Sequence, residues 1–367
     1  MRSMKSGDGR PDASAGTIRA RGRGALRNVQ NRYERHETVP VLEDLDPHDM
    51  ESSANPATEL IPDNARSIIA TNDSPDVPFE QSINPYRGCE HGCVYCFARP
   101  SHAWLDMSPG LDFETRILFK PNAAELLRQE LARKSYRCRP LALGSNTDPY
   151  QPAERKLRIT RSVLEVLAEH HHPVTIVTKS ALVTRDLDLL APMARRGLAS
   201  VYVSVTTLDP ALARTMEPRA ASPARRIEAL AAVTEAGVPT GVLASPMIPG
   251  LNDVELENIL EAASRAGART AAYLLVRLPH EVKQIFIEWL EAHFPTRAAK
   301  VLHLLREMRG GALNDPRFDS RHRGQGPLAD LLRRRFEVAC RRLGLDAERS
   351  ELDCASFRAP GRQGALF

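Results

Sequence analysis

Cys89, Cys93 and Cys96 stand in a C-x3-C-x2-C array inside NPYRGCEHGCVYCFARP, residues 84–100. Thiolates are the ligands of iron–sulfur clusters, and three so close in sequence can hold one [4Fe-4S] cube from a single loop. Three protein ligands on four irons leave one iron open to a group that is not protein. Two other readings use the same residues. Cys89, His91, Cys93 and Cys96 can supply four ligands to a zinc ion, but structural zinc usually pairs two short motifs across a longer spacer, and no second C-x2-C or H-x3-H follows. A ferredoxin-type site would draw its fourth cysteine from Cys138, Cys340 or Cys354.

A loop of this kind needs a scaffold. From about residue 77, short apolar runs alternate with longer helical patterns, which predicts repeated βα units around a parallel sheet. Six such units can be counted. The first strand runs into the cysteine loop and is followed by the helix PNAAELLRQELARK. The next pairs are PLALGSN with ITRSVLEVLAEH, PVTIVTKS with RDLDLLAPMARRG, and ASVYVSVTT with PARRIEALAAVTEAG. PTGVLASPMIPG with DVELENILEAASRAG and TAAYLLVRL with EVKQIFIEWLEAHF complete the set. Gly197, Gly237 and Gly267 each end a helical pattern directly before a strand, a regular stop signal.

The cysteine spacing, with Tyr95 just before the last thiol, resembles the signature of the radical S-adenosylmethionine (SAM) superfamily. The runs GSNTDPYQPAE, VTKS, VSVTT, EPRAASPARRIEAL and SPMIPGLND are similar to those of its spore photoproduct lyase-like branch, and more so to a bacterial group of undefined substrate within it. This likeness covers roughly residues 80–290. It implies an α/β fold, a partial (β/α)6 TIM-type barrel, with cofactors at the C-terminal ends of the strands. It also implies a cluster on Cys89, Cys93 and Cys96 whose open iron takes the amino and carboxylate groups of SAM. Ser145, Asn146, Thr147 and Asp148 are expected toward the SAM amino group or ribose, against the alternative of a plain turn before Pro149. Lys179 is expected at the SAM carboxylate. Ser204 and Thr206, two apart and so on one face of a strand, are expected at the ribose. Ser245, Pro246, Met247 and Ile248 are expected at the adenine, although Met247 and Ile248 also suit core packing. Tyr86 and Tyr150, next to predicted strand tops, are candidate radical relays. Glu217 and Arg219 are expected to pair after the fourth strand.

One departure stands out. The lyase carries a hydrogen-donating cysteine at the end of its second strand, where this chain has Gly144 and Ser145.

Composition agrees with a globular enzyme: 42% hydrophobic and 26% charged residues, with no apolar run near the ~20 residues of a membrane span. The N-terminus lacks the apolar core of a secretory signal, and six cysteines in 367 residues make no disulfide framework. These features point to a cytoplasmic protein, expected to be a monomer with no membrane partner. Residues 1–76 are expected to form a largely disordered extension, basic and then acidic, in which RARGRGALRNVQNRYERHE can contact nucleic acid or remain a solvated tail. Residues 77–295 form the predicted barrel core. Residues 296–367 form a basic helical region packing on the barrel, in which Leu328, Leu331, Leu332, Phe336, Ala339 and Leu343 share one face of a helix. The expected activity is reductive cleavage of SAM followed by hydrogen-atom abstraction. The expected partners are a reductant such as flavodoxin or ferredoxin and a substrate that can be a nucleic acid. The competing reading is a non-catalytic iron–sulfur electron-transfer or nucleic-acid-binding protein.

Overall fold

In the computed structural model, which describes residues 22–34, 56–348 and 351–361, the six apolar runs line up side by side. The strands in chain order are β1 (Glu59–Pro62), β2 (Ile69–Thr71), β3 (Gln81–Ile83), β4 (Tyr86–Arg87), β5 (Arg116–Phe119), β6 (Leu141–Leu143), β7 (Val174–Thr178), β8 (Ala199–Ser204), β9 (Thr240–Met247) and β10 (Thr270–Leu275). The helices are α1 (Asp112–Thr115), α2 (Ala123–Leu131), α3 (Glu154–Leu157), α4 (Ile159–Glu169), α5 (Leu187–Ala194), α6 (Pro210–Met216), α7 (Pro223–Glu235), α8 (Leu256–Arg265), α9 (Val282–His293), α10 (Pro295–Glu307) and α11 (Pro327–Leu343). The main sheet has the order β10-β9-β8-β7-β6-β3-β2, in which the six strands from β3 to β10 are parallel and β2 is antiparallel to β3. β10 and β2 remain at opposite edges, so the barrel is open. Among the described residues no helix is long and apolar enough to cross a membrane.

Register decides where the chemistry can sit. Ile83 pairs Leu143, Leu143 pairs Ile176, Thr178 pairs Val203 and Ser204 pairs Leu243, so the C-terminal ends of successive strands form one rim. Parallel strands covered by helices are buried on both faces, which is why β6 reads as Leu-Ala-Leu and β8 has one half-exposed residue. A main core fills the space between the sheet and α2, α4, α5, α7 and α8. A second core gathers Val94, Met216, Ile248, Val276, Phe286 and Trp289 above the strand ends, and the cysteine loop is built on it.

Three features depart from the sequence reading. Of the extension expected to be disordered, residues 1–21 and 35–55 lie outside the described residues. Residues 22–34 pack against the cysteine loop, and residues 56–76 contribute β1 and β2. β1, β5 and β4 make a small side sheet whose strands of two to four residues carry no readable period. Leu331 does not share the buried face of α11. It is 54% exposed, because that face turns instead toward α8 and Tyr273 through Leu332, Phe336, Ala339 and Cys340. Arg335 of the same helix pairs with Glu257 at 2.7 Å. Beyond α11, Asp346 bridges Thr270 and covers the outer edge of β10.

Candidate functional site

The cysteine loop leaves β4 and is held by its own backbone: the Cys89 N–H donates to Phe113 O at 2.9 Å, and that of Cys96 donates to Cys93 O at 3.2 Å. Val94 is fully buried, which contributes about 1.5–3 kcal/mol, and its N–H donates to Met216 O at 3.1 Å. Arg99, also fully buried, donates to the carbonyls of Cys93, Pro109 and Gly110 at 2.9–3.0 Å and pairs with Glu114 at 2.5 Å. The Glu114 carboxylate in turn accepts the N–H groups of Gly24 and Ala25 at 2.9 and 2.8 Å. Residues 22–34 thereby form a strap across the loop. Its closest approach admits no side chain, since a Cβ on Gly24 would lie 1.7 Å from Gly92 O.

The strand ends bring several predicted residues to this loop. Lys179, at the end of β7, holds its ammonium 5.9 Å from the Tyr95 ring centre and has no carboxylate partner among the described residues. The Tyr95 hydroxyl donates to Glu217 and lies 3.3 Å from the Thr206 hydroxyl. Ser204 and Thr206 each donate to Ser245 O at 3.1 Å, tying the tops of β8 and β9. Glu217 also accepts from Thr206 at 2.7 Å and pairs with buried Arg226.

The loop after β6 is organised by Asn84, whose side chain accepts the N–H groups of Asn146 and Thr147 and donates to the Ser145 hydroxyl at 3.3 Å. Thr147 turns inward, its hydroxyl donating to Tyr86 O. Asp148 is committed to structure: its carboxylate accepts from Thr178, the Tyr150 N–H and the Lys179 N–H at 2.7–2.9 Å and faces His91 at 3.4 Å. Burial opposes its charge, but His91 and these bonds hold its carboxyl down at about 2. Met247 lies wholly in the main core and Ile248 in the upper one. Tyr86 donates to buried Glu154, and Tyr150 is buried beneath Arg185.

Glu217 and Arg219 do not pair as expected. Arg219 reaches Glu90 at 2.9 Å, and the partner of Glu217 is Arg226, one turn into α7. Arg226 had a readable signal, since it stands at the head of the apolar stripe Ala229, Leu230 and Val233. Arg99 and Glu114 had none, because the strap that explains them lies about ninety residues away.

Burial pushes the Cys89 thiol well above its usual range, and Asp148, Cys93 and Cys96 push it further. Burial also raises Cys93 and Cys96, against the pull of Lys179 on both. Two buried thiols and a half-buried one, with the charge of Cys96 raising both Cys89 and Cys93, suit a cationic cluster that takes them as thiolates. Among the described residues no three of His, Cys, Asp and Glu converge on one metal-ion position, and His91 faces Asp148. That contact engages the ring that the zinc reading needs as its fourth ligand. The remaining cysteines are engaged elsewhere. Cys340 lies in the main core, while Cys138 and Cys354 contact each other at the opposite end of the strands, where Asp353 binds Gly197 O.

An open parallel barrel carrying a three-thiol loop and an uncommitted lysine at its C-terminal rim has the architecture of a barrel enzyme with its site at the strand ends. Residues 83–263 match the family described as the radical SAM superfamily. An uncharacterized protein of Mycobacterium tuberculosis is 38% identical over 232 residues, which are 63% of this chain and 68% of that protein. An uncharacterized protein of Methanocaldococcus jannaschii is 29% identical over 55% of this chain and 72% of its own length. In three dimensions, a spore photoproduct lyase variant aligns with 80% of this chain and 82% of its own, with a TM-score of 0.55 at 15% identity, a likeness of fold. The chain belongs to the radical SAM superfamily and is an enzyme of that class. Membership implies an iron–sulfur cluster and SAM as cofactors.

Proposed function

We propose that Cys89, Cys93 and Cys96 hold a [4Fe-4S] cluster and that the rim from Ser145 to Met247 binds SAM beside it. When bound, the cluster and SAM supply one-electron reductive cleavage of SAM and hydrogen-atom abstraction from a substrate. The chain's own residues bind, orient and exclude water. Lys179 meets the carboxylate of SAM, with Tyr95 beneath its ammonium and Asp148 fixing its backbone. Ser145 and Asn146 offer short polar groups toward the amino group or ribose, with Thr147 and Asp148 shaping the loop that presents them. Ser204, Thr206 and Ser245 line the ribose and adenine side, backed by Met247, and the Glu217–Arg226 pair keeps Tyr95 and Thr206 in place. A reductant of the flavodoxin or ferredoxin class and a nucleic-acid substrate complete the reading.

The observation that carries it is Lys179, a half-buried cation with no carboxylate partner among the described residues, standing beside two thiols. Anaerobic reconstitution should give about four irons and four sulfides per chain, and reduction with SAM should release 5′-deoxyadenosine. Cys93→Ala should lose the iron. Lys179→Met should keep the iron and raise the SAM concentration needed for half-maximal cleavage. An intact [4Fe-4S] absorbance without deoxyadenosine would overturn the proposal in favour of a non-catalytic cluster protein.

A further inference from the structure

The radical chemistry makes no use of a second feature beside the cysteine loop. Three segments meet there: the strap, the 3-10 turn Arg99–Leu105 that follows Cys96, and residues 276–281 after β10. Arg32 joins them, pairing with Glu281 at 2.9 Å and donating to Pro100 O at 3.4 Å. On this face Trp104 is 72% exposed, Tyr33 48% and Phe97 47%. The rings of Tyr33 and Trp104 lie 5.0 Å apart, with the Arg32 guanidinium 4.9 and 5.7 Å from their centres.

Arg277 lies 5.7 Å over Phe97. It has no acidic partner among the described residues, and its Nε is buried without a hydrogen bond. Behind it, the two terminal nitrogens of Arg309 donate to the carbonyls of Leu275, Val276, Ser320 and Arg321, while Arg321 and His322 share Asp76. Guanidinium groups therefore outnumber carboxylates at this end of β10. Burial holds Arg277 below its usual range and Arg321 lowers it further, with Asp76 opposing.

Exposed flat rings interleaved with guanidinium groups are what unstacked bases and their phosphates require. A duplex keeps its bases stacked, and an acidic peptide would use the cations but leave the rings uncovered. We infer that this face binds single-stranded nucleic acid, with bases stacked on Trp104, Tyr33 and Phe97 and a phosphate on Arg277. The inference rests on the nucleic-acid reading of the substrate.

The chain has two tryptophans, and Trp289 is fully buried, so quenching by a bound base reports Trp104. Reconstituted protein is titrated with oligothymidylate and oligouridylate of about 12 nucleotides, read by tryptophan emission and by anisotropy of labelled oligomer. Saturable quenching is expected, with an affinity that falls as salt rises. Trp104→Ala should weaken binding roughly 5- to 150-fold, the loss that a stacked base carries, and Trp104→Phe should stay within about threefold because it keeps a ring. Arg277→Met should weaken binding and lower the salt slope by about one. No quenching at low salt with either oligomer overturns the inference, as does equal binding of duplex, an acidic peptide quenching in place of the oligomers, or Trp104→Ala binding like the parent. Deoxyadenosine formation in the same preparation separates the two proposals. If it forms and no oligomer binds, the face fails and the radical reading stands; if oligomers bind and none forms, the reverse holds.

Discussion

Removing the Glu114 carboxylate should destabilise the protein far more than a typical substitution. Its two oxygens satisfy Arg99 and the N–H groups of Gly24 and Ala25, all of them buried. In Glu114→Ala the Arg99 charge stays in place, still bound to the carbonyls of Cys93, Pro109 and Gly110, but without its counter-charge. A buried ion pair broken on one side costs about 3–5 kcal/mol. Two orphaned backbone donors add to that where the strap does not lift away. Against a total stability of roughly 5–15 kcal/mol, this is a severe loss. Arg99→Met combined with Glu114→Ala removes both charges, so the pair should cost at least about 1 kcal/mol less than the sum of the single changes. Guanidinium unfolding of the cluster-free chain, followed by Trp289 emission, measures each term. A loss under about 1 kcal/mol for Glu114→Ala, or additivity within about 0.5 kcal/mol, would refute the clamp.

His102 is buried, and burial holds it down at about 4 despite its bond to Arg116 O. The unfolded chain then binds more protons between about pH 4 and 6.5, so the stability this residue confers is complete above that window and lost as pH falls through it. His102→Gln should flatten the pH dependence of the unfolding midpoint there, and an unchanged slope counts against the assignment. Gly144→Cys, which restores the residue type of the lyase donor, should cost more than about 2 kcal/mol, because Gly144 has φ +89° and its Cβ would sit 2.0 Å from Val177 O. Ser145→Cys, at a half-buried side chain whose one hydrogen bond among the described residues is to Asn84, should stay within about 1 kcal/mol in the same thermal melts. Gly24→Ala should lift the strap and speed tryptic cleavage at Arg27 and Arg32, so an unchanged cleavage rate argues that the strap does not depend on this close approach.

The six βα units were legible because each strand and helix repeats a local period, and because a glycine marks three of the helix ends. The side sheet was not, since β1 pairs with β5 across 57 positions and neither strand exceeds four residues. The clustering of Cys89, Cys93 and Cys96 was visible in their spacing, and Tyr95 was singled out by the family resemblance. The expectation for Lys179 came from the family resemblance, and that for Ser204 from its sharing one strand face with Thr206. Asp148, for which the sequence left a SAM contact and a plain turn both open, accepts the N–H groups of Tyr150 and Lys179 and faces His91. The Glu217–Arg219 expectation relied on nearness in sequence, whereas the helical phase of α7 directs Arg226 inward to the carboxylate. Leu331 likewise fits its stripe on paper but sits just outside the arc that α8 covers.

The strap also bears on how the protein is made. Its anchors among the described residues lie far off in sequence, from Pro56, 33 residues downstream, through Glu114 at 89 to 91, to Glu281 at 249 and Glu288 at 261. The cysteine loop combines neighbours three residues apart, such as Cys96 on Cys93, with distant ones, Phe113 and Met216. Local bonds form faster than distant ones, so the turn from Cys93 to Cys96 can form before the strap docks across it. Docking of the strap then acts as the closing step of folding around the thiols.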